Sequence, residues 1–155
     1  MAEIKYTIKL PPITKKNSQQ ILINPKTGRP FIMPSKQYKK YLSDSAPFLT
    51  PRPPRPVACS VCIRCLFYMP TRRKADLTNL LEAVDDILVH YKIIEDDNYG
   101  IVTSHDGSRC YVDKDNPRTE IIITRMETEE IEQMRFDTHT VDALQRMGRK
   151  AHGEV

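Results

Sequence analysis

The stretch from Asp76 to Tyr91, "DLTNLLEAVDDILVHY", constrains the fold more than any other part of the chain. At 100° per residue, Leu77, Leu80, Leu81, Val84, Ile87, Leu88 and Tyr91 fall within roughly 20° to 140° of arc. A stripe of that width predicts a helix laid against a core. With Asp76 at zero, Asn79 falls near about −60°, Ala83 near about −20° and Asp86 near about −80°. Asp76, Asn79 and Asp86 therefore share a polar stripe at the rim of the buried face. Short carboxylates and amides there are held more rigidly than long Lys or Glu chains, and suit a Mg²⁺ site. Plainer readings stand beside this one. Asp76 serves as an N-cap, Asp85 and Asp86 as surface acids, and Asp96-Asp97-Asn98 as a turn.

The elements around that helix are shorter. Glu3 to Leu10 predicts a strand with Ile4, Tyr6, Ile8 and Leu10 on one face. Gln20 to Asn24 and Phe31-Ile32-Met33 predict a hairpin about the turn Pro25-Lys26-Thr27-Gly28. Ser35 is the expected N-cap of a helix to about Leu49, carrying Tyr38, Tyr41 and Leu42. Thr50-Pro-Arg-Pro-Pro-Arg-Pro is a stiff, extended connector. Val57 to Met69 reads as a long strand. Ile101 to Ser104 and Thr119 to Thr124 read as further strands, with turns at Asp106-Gly107 and Asp115-Asn116-Pro117. Val141, Leu144 and Met147 hint at a short helix in a mobile end. Without a regular βαβ rhythm, the expected class is α+β, one mixed β-sheet packed by two main helices. The expected division is a domain over residues 1–125 and a partly helical or mobile extension over 126–155.

Length and charge narrow the function. A chain of 155 residues can bury a core without disulfides or metal. No run of 18 apolar residues predicts a membrane span, and the start lacks the apolar region of a secretory signal. Four cysteines read as reduced thiols, giving a cytoplasmic expectation. The formal charge of +4 conceals a division: residues 1–75 carry 15 Lys/Arg against 2 acids, and residues 76–155 carry 9 against 18. A half that is basic by 13 charges points to a polyanion, most simply nucleic acid.

Competing motifs are weaker. Cys59-x-x-Cys62-x-x-Cys65 has metal-like spacing, but a strand of period 2 points Cys62 away from Cys59 and Cys65. With Cys110 distant, all four read as buried thiols. His90, His105, His139 and His152 show no ligand spacing; His105, beside Asp106, reads as a turn residue, with a place near the site as the alternative. No Gly-rich phosphate loop is present, so no nucleotide cofactor is expected.

The segment "RRKADLTNLLEAVDDILVHYKIIEDD", from Arg72 to Asp97, resembles the core motif of the RusA family of Holliday junction resolvases, R-x-D-x-D-N-(x)2-K-(x)3-D-(x)9-D-D. The likeness extends over roughly residues 4–125. "IKLPPITKKNSQQ" is similar to the family's opening strand and loop, with Asn17 at its Asn, and "SKQYKKY" to its first helix. The resemblance implies a RusA-like fold and a small homodimeric, Mg²⁺-dependent endodeoxyribonuclease, with Mn²⁺ able to substitute. Such an enzyme resolves four-way junctions by paired, symmetric nicks in recombination and repair, and is bacterial or phage-encoded.

Position by position, the resemblance puts the first essential acid at Asp76, the helix Asn at Asn79, the helix acid at Asp86 and the last pair at Asp96 and Asp97. Two positions depart from the family. Thr78 stands where a second metal-binding acid is expected, and Glu82 stands where a lysine is. Thr78 retains a hydroxyl that can reach a metal-bound water. Glu82, near about −120° on the wheel, could restore a carboxylate, and Asp106 is the other candidate. The expected metal ligands are Asp76, Asp97 and Thr78, with Glu82, Asp86 and Asp96 completing the catalytic set. Lys15, Lys16, Asn17, Arg72, Arg73 and Lys74 are the expected DNA-binding residues. The alternatives are a non-catalytic junction-binding protein and a nuclease for other branched DNA.

Overall fold

A computed structural model describes residues 3–15, 19–127 and 129–133. The chain divides into two compact units, Met1–Thr124 and Arg125–Val155. The helix expected around Val141, Leu144 and Met147 lies outside the described residues, as do Lys16 and Asn17.

The fold is mixed α and β. In chain order it runs β1 (Ile4–Ile8), β2 (Gln19–Ile23), β3 (Pro30–Pro34), α1 (Lys36–Ser45) and a 3-10 turn (Ala46–Phe48). It continues through β4 (Val61–Met69), α2 (Leu77–His90), β5 (Val102–Ser104), β6 (Arg109–Val112) and β7 (Arg118–Arg125). The main sheet has the order β1-β7-β4-β5, and β6 also pairs with β4. β1 runs antiparallel to β7, with Tyr6 opposite Ile121. β5 and β6 both run parallel to β4, so the sheet is mixed. β2 and β3 form a separate hairpin, Ile21 opposite Ile32, turned at Gly28 with φ +65.

Alternation decides which face of β4 enters the core. Val61, Ile63, Cys65 and Phe67 are buried, while Arg64 is exposed. The stripe of α2 covers them: Leu80, Val84, Ile87 and Leu88 join the same cluster as Ile8, Ile121 and Ile123. Each such side chain contributes about 1.5–3 kcal/mol when fully buried. α1 docks through Tyr38 and Tyr41, both buried. Its N-cap is Ser35, whose Oγ accepts from the Tyr38 amide at 3.1 Å. Leu77, counted in the stripe, is 37% exposed because it opens the helix beyond the sheet's cover.

Three expectations need correction. The long strand begins at Val61; Val57 makes only an isolated parallel bridge to Ile94, its backbone bonding Ile93 and Glu95 rather than a neighbouring strand. β6 has no counterpart in the sequence reading, being four exposed residues between turns. The cysteines are all free, but only Cys65 is buried: Cys59 and Cys62 are intermediate and Cys110 is exposed. Cys110 lies exposed on β6 at the sheet's edge. Burial pushes the Cys65 thiol well up from its ordinary range.

Between β5 and β6 the chain leaves the ladder at residues 105–108. The β4–β5 register shifts between Val61 and Cys62, and pairing resumes at Leu66 with Arg109. Ser108 Oγ fills the gap by accepting from the Cys65 amide at 3.0 Å. Gly107 makes the bend possible with φ +79; a Cβ there would stand 2.9 Å from Arg64 Cδ. The bend turns His105 toward α2.

Candidate active site

The N-terminus of α2 is built around Asp76. Its Oδ1 accepts from the Thr78 amide at 3.0 Å and from the Thr78 hydroxyl at 2.7 Å. Asn79 Nδ2 donates to Oδ2 at 3.3 Å. Asp76 is thus the N-cap, satisfying an amide left open by the first helical turn. Thr78, at the position of an expected acid, serves that cap.

About two turns further along, the acids behave differently. Asp86 Oδ2 accepts from Lys15 Nζ at 2.6 Å, bringing the loop after β1 onto α2. Lys15, expected at DNA, here neutralises a helix carboxylate. Glu82 and Asp86 both lie near the buried Tyr38 hydroxyl. Burial first, and then the charge of Asp86, push that phenol well up.

Asp85 is the buried member of the group, 9% exposed. Its Oδ2 lies 2.9 Å from His105 Nε2, and Oδ1 is buried with no hydrogen-bond partner. His105 Nδ1 lies 2.8 Å from the Ile63 carbonyl. A carbonyl only accepts, so Nδ1 carries a proton. Two acceptors cannot bond each other, so a second proton lies between Nε2 and Oδ2. Burial raises the Asp85 pKa, the His105 hydrogen bond opposes that, and the charges of Asp97 and Asp86 raise it further. The Asp85 hydrogen bond raises the pKa of His105, with burial opposing. The Asp85 carboxyl therefore feels the charges of Asp97 and Asp86, while His105 pairs with Asp85 and Lys15 with Asp86.

Asp97 reaches this group because the chain folds back after α2. Lys92 turns it with φ 59. Ile93 and Ile94 are then fully buried, and Val57 receives and donates the hydrogen bonds that dock them. Asp96 closes the following turn, accepting from the Asp97 amide at 2.9 Å and from Asn98 Nδ2 at 2.7 Å. The Asn98 hydrogen bond holds the Asp96 carboxyl below its ordinary pKa.

The carboxylates supply oxygen donors only, which fits a hard cation such as Mg²⁺. Among the described residues, however, no three His, Cys, Asp or Glu side chains form a ready metal-holding group. The structure joins Asp76, Thr78 and Asn79 in one polar cluster, and separately pairs Asp85 with His105 and Asp86 with Lys15. Asp106 is exposed in the bend; its neighbour His105 is the residue that turns to α2.

The cations Arg72, Arg73 and Lys74 are exposed in the loop between β4 and α2. Arg73 and Lys74 face an open cleft of ≈ 620 Å³, walled also by Thr14, Lys40 and Asp44. The same loop walls a smaller cleft of ≈ 270 Å³ against β6. Neither a protein-family model nor a curated protein sequence matches this chain. Among the described residues, no helix is long and apolar enough to cross a membrane.

Proposed function

We propose that the chain is a metal-dependent, structure-specific DNA endonuclease acting on four-way junctions. The observation that carries this reading is geometric: α2 buries the Asp85 carboxylate 2.9 Å from His105 Nε2, with its Oδ1 left without a hydrogen-bond partner, directly beside Asp86, whose Oδ2 lies 2.6 Å from Lys15 Nζ. A helix that buries one acid next to another is an unfavourable arrangement unless cations join it. Lys15 and His105 supply two. Oxygen donors that remain fit one more. The resemblance of Arg72–Asp97 to the RusA family and the basic half of the chain support the same reading.

Following the resemblance, Asp76 and Asp97 are the residues that would hold Mg²⁺ or Mn²⁺, with Asp86 supporting them; among the described residues they form no ready three-carboxylate group, so the ion itself would draw them together. When bound, the metal supplies a Lewis acid for the scissile phosphate and a water of lowered pKa. Lys15 holds Asp86 in place and limits the repulsion among the acids. Arg73 and Lys74 bind flanking phosphates in the cleft beside the helix start. A two-fold homodimer suits a junction with two equivalent strands to cut.

The second reading is a non-catalytic junction binder. Its support is that both oxygens of Asp76 are engaged inside the helix cap. One experiment separates the two. Full-length protein is incubated with a labelled synthetic four-way junction and Mg²⁺, with and without EDTA, alongside Asp97→Asn. The nuclease reading expects paired nicks that EDTA abolishes, and an Asp97→Asn variant that binds but does not cut. Binding without nicking in Mg²⁺ or Mn²⁺ would overturn it. A panel of flap and three-way substrates then defines the branched structure preferred.

A further inference from the structure

Tyr111 carries a feature that hydrolysis leaves unused. It stands on β6 opposite Tyr68 on β4, and the two rings stack with centroids 5.2 Å apart and planes 21° apart. Arg118, on β7, sits over Tyr68 with its guanidinium carbon 3.7 Å from the ring centroid. β4 lies between β7 and β6 in the sheet. Arg118 and Tyr111 therefore approach Tyr68 from opposite sides, and the stack runs Arg118, Tyr68, Tyr111.

The inner end of that stack is fixed. Arg118 Nε donates to Glu120 at 2.8 Å and Nη1 to Asp113 at 3.0 Å. The outer end is open. Among the described residues β6 pairs only with β4, so Tyr111 ends the stack at the sheet's edge. Tyr111 is 42% exposed and walls the ≈ 270 Å³ cleft together with Met69, Arg72, Arg73, Lys74 and Cys110. An aromatic face held rigid from behind, open in front and rimmed by three cations suits a nucleotide of a single strand. The ring stacks a base, and the cations take its phosphates.

We propose that Tyr111 is a stacking site for an unpaired nucleobase of a nucleic-acid strand, with Arg72, Arg73 and Lys74 binding the adjoining phosphates. This rests on the nucleic-acid part of the proposed function and not on cleavage. The cleft wall ends at Ala75, one residue before Asp76, so a base held there places its strand beside the start of α2.

The chain has no Trp, so Tyr111→Trp installs a single reporter at the site. Its emission should be quenched by an unlabelled eight-nucleotide oligothymidylate and left unchanged by inorganic phosphate. In parallel, the affinity of wild type, Tyr111→Phe, Tyr111→Leu and Arg73→Gln for the same fluorescein-labelled oligonucleotide is measured by anisotropy across a salt series. Tyr111→Phe should match wild type. Tyr111→Leu should weaken binding by about tenfold with an unchanged salt slope. Arg73→Gln should weaken binding and lower the slope by about 1. An unquenched Trp at saturating oligonucleotide, or a folded Tyr111→Leu that binds like wild type, overturns the proposal. Junction nicking by wild type is scored separately, so failure of the stacking site and failure of the nuclease reading give different results.

Discussion

His105 Nε2 lies 2.9 Å from Asp85 Oδ2, joining the bend after β5 to the middle of α2 across the face of the sheet. Its other ring nitrogen is committed to the Ile63 carbonyl at 2.8 Å. The pair therefore carries one proton more than neutral histidine and ionised aspartate would hold without a bond. Folding binds that proton more tightly than the unfolded chain does, since both folded pKa values are raised.

The direction of the pH dependence follows. A histidine with a raised folded pKa contributes stability that is full below its unfolded value, near the ordinary 6.5, and lost as pH rises through the folded value. Asp85, raised by burial, changes in the same sense as pH rises from its ordinary 3.8. Urea midpoints should therefore fall between about pH 6.5 and the alkaline end of the titration. Asp85→Asn should flatten that decline. A midpoint that rises with pH over this window in wild type contradicts the shared proton.

Removing one partner alone should be costly. His105→Leu leaves the Asp85 carboxylate buried without its cation, and the Ile63 carbonyl without a donor. The expected loss is about 3 kcal/mol of unfolding free energy. The double variant Asp85→Leu/His105→Leu replaces the pair by apolar volume and should recover most of it. Equilibrium urea unfolding of the three proteins at pH 6 measures both. If the double variant is as unstable as the sum of the singles, the pair is not the source of the loss.

Gly107 controls whether His105 reaches α2. With φ +79 and Arg64 Cδ 2.9 Å from an added Cβ, Gly107→Ala is expected to lose about 1–2 kcal/mol from the left-handed backbone alone. The arginine side chain is flexible and can move aside, so the backbone is the larger cause. Gly107→Asn, which tolerates that conformation, should lose less. Thermal midpoints rank the two, and an equal loss would assign the effect to Arg64 instead.

The residues differ in how far their sequence context reveals them. The stripe Leu80, Val84, Ile87, Leu88 reads directly from helical period, as does the cap at Ser35 from its side-chain chemistry. Asp85 falls at about 180° on the same wheel, just past the far edge of the apolar arc. A carboxylate there signals a buried partner, and only attention to the stripe at its other edge singles out Asp86 instead. The partner itself is hidden: His105 lies 20 residues on, and its approach depends on a ladder interruption that no local propensity encodes. Lys15 is 71 residues from Asp86, so its ion pair belongs to the tertiary fold. β6 is invisible for a different reason. Arg109-Cys110-Tyr111-Val112 has no buried alternation, because its support comes from β4 rather than from a core face.

Asp76 combines two roles that substitution can separate. As the cap of α2 it accepts from the Thr78 amide and hydroxyl, a role asparagine performs about equally well. Asp76→Asn should therefore change stability by less than about 0.5 kcal/mol, whereas Asp76→Ala should lose about 1 kcal/mol. The proposed function requires the charge as well as the cap. Asp76→Asn should then lose junction cleavage by at least about two orders of magnitude while its melting curve overlays wild type. A four-way junction assay run beside circular-dichroism melting reads both quantities on one preparation. Retained cleavage in Asp76→Asn would confine Asp76 to the cap and move the essential charge to the other acids, Asp85, Asp86 and Asp97.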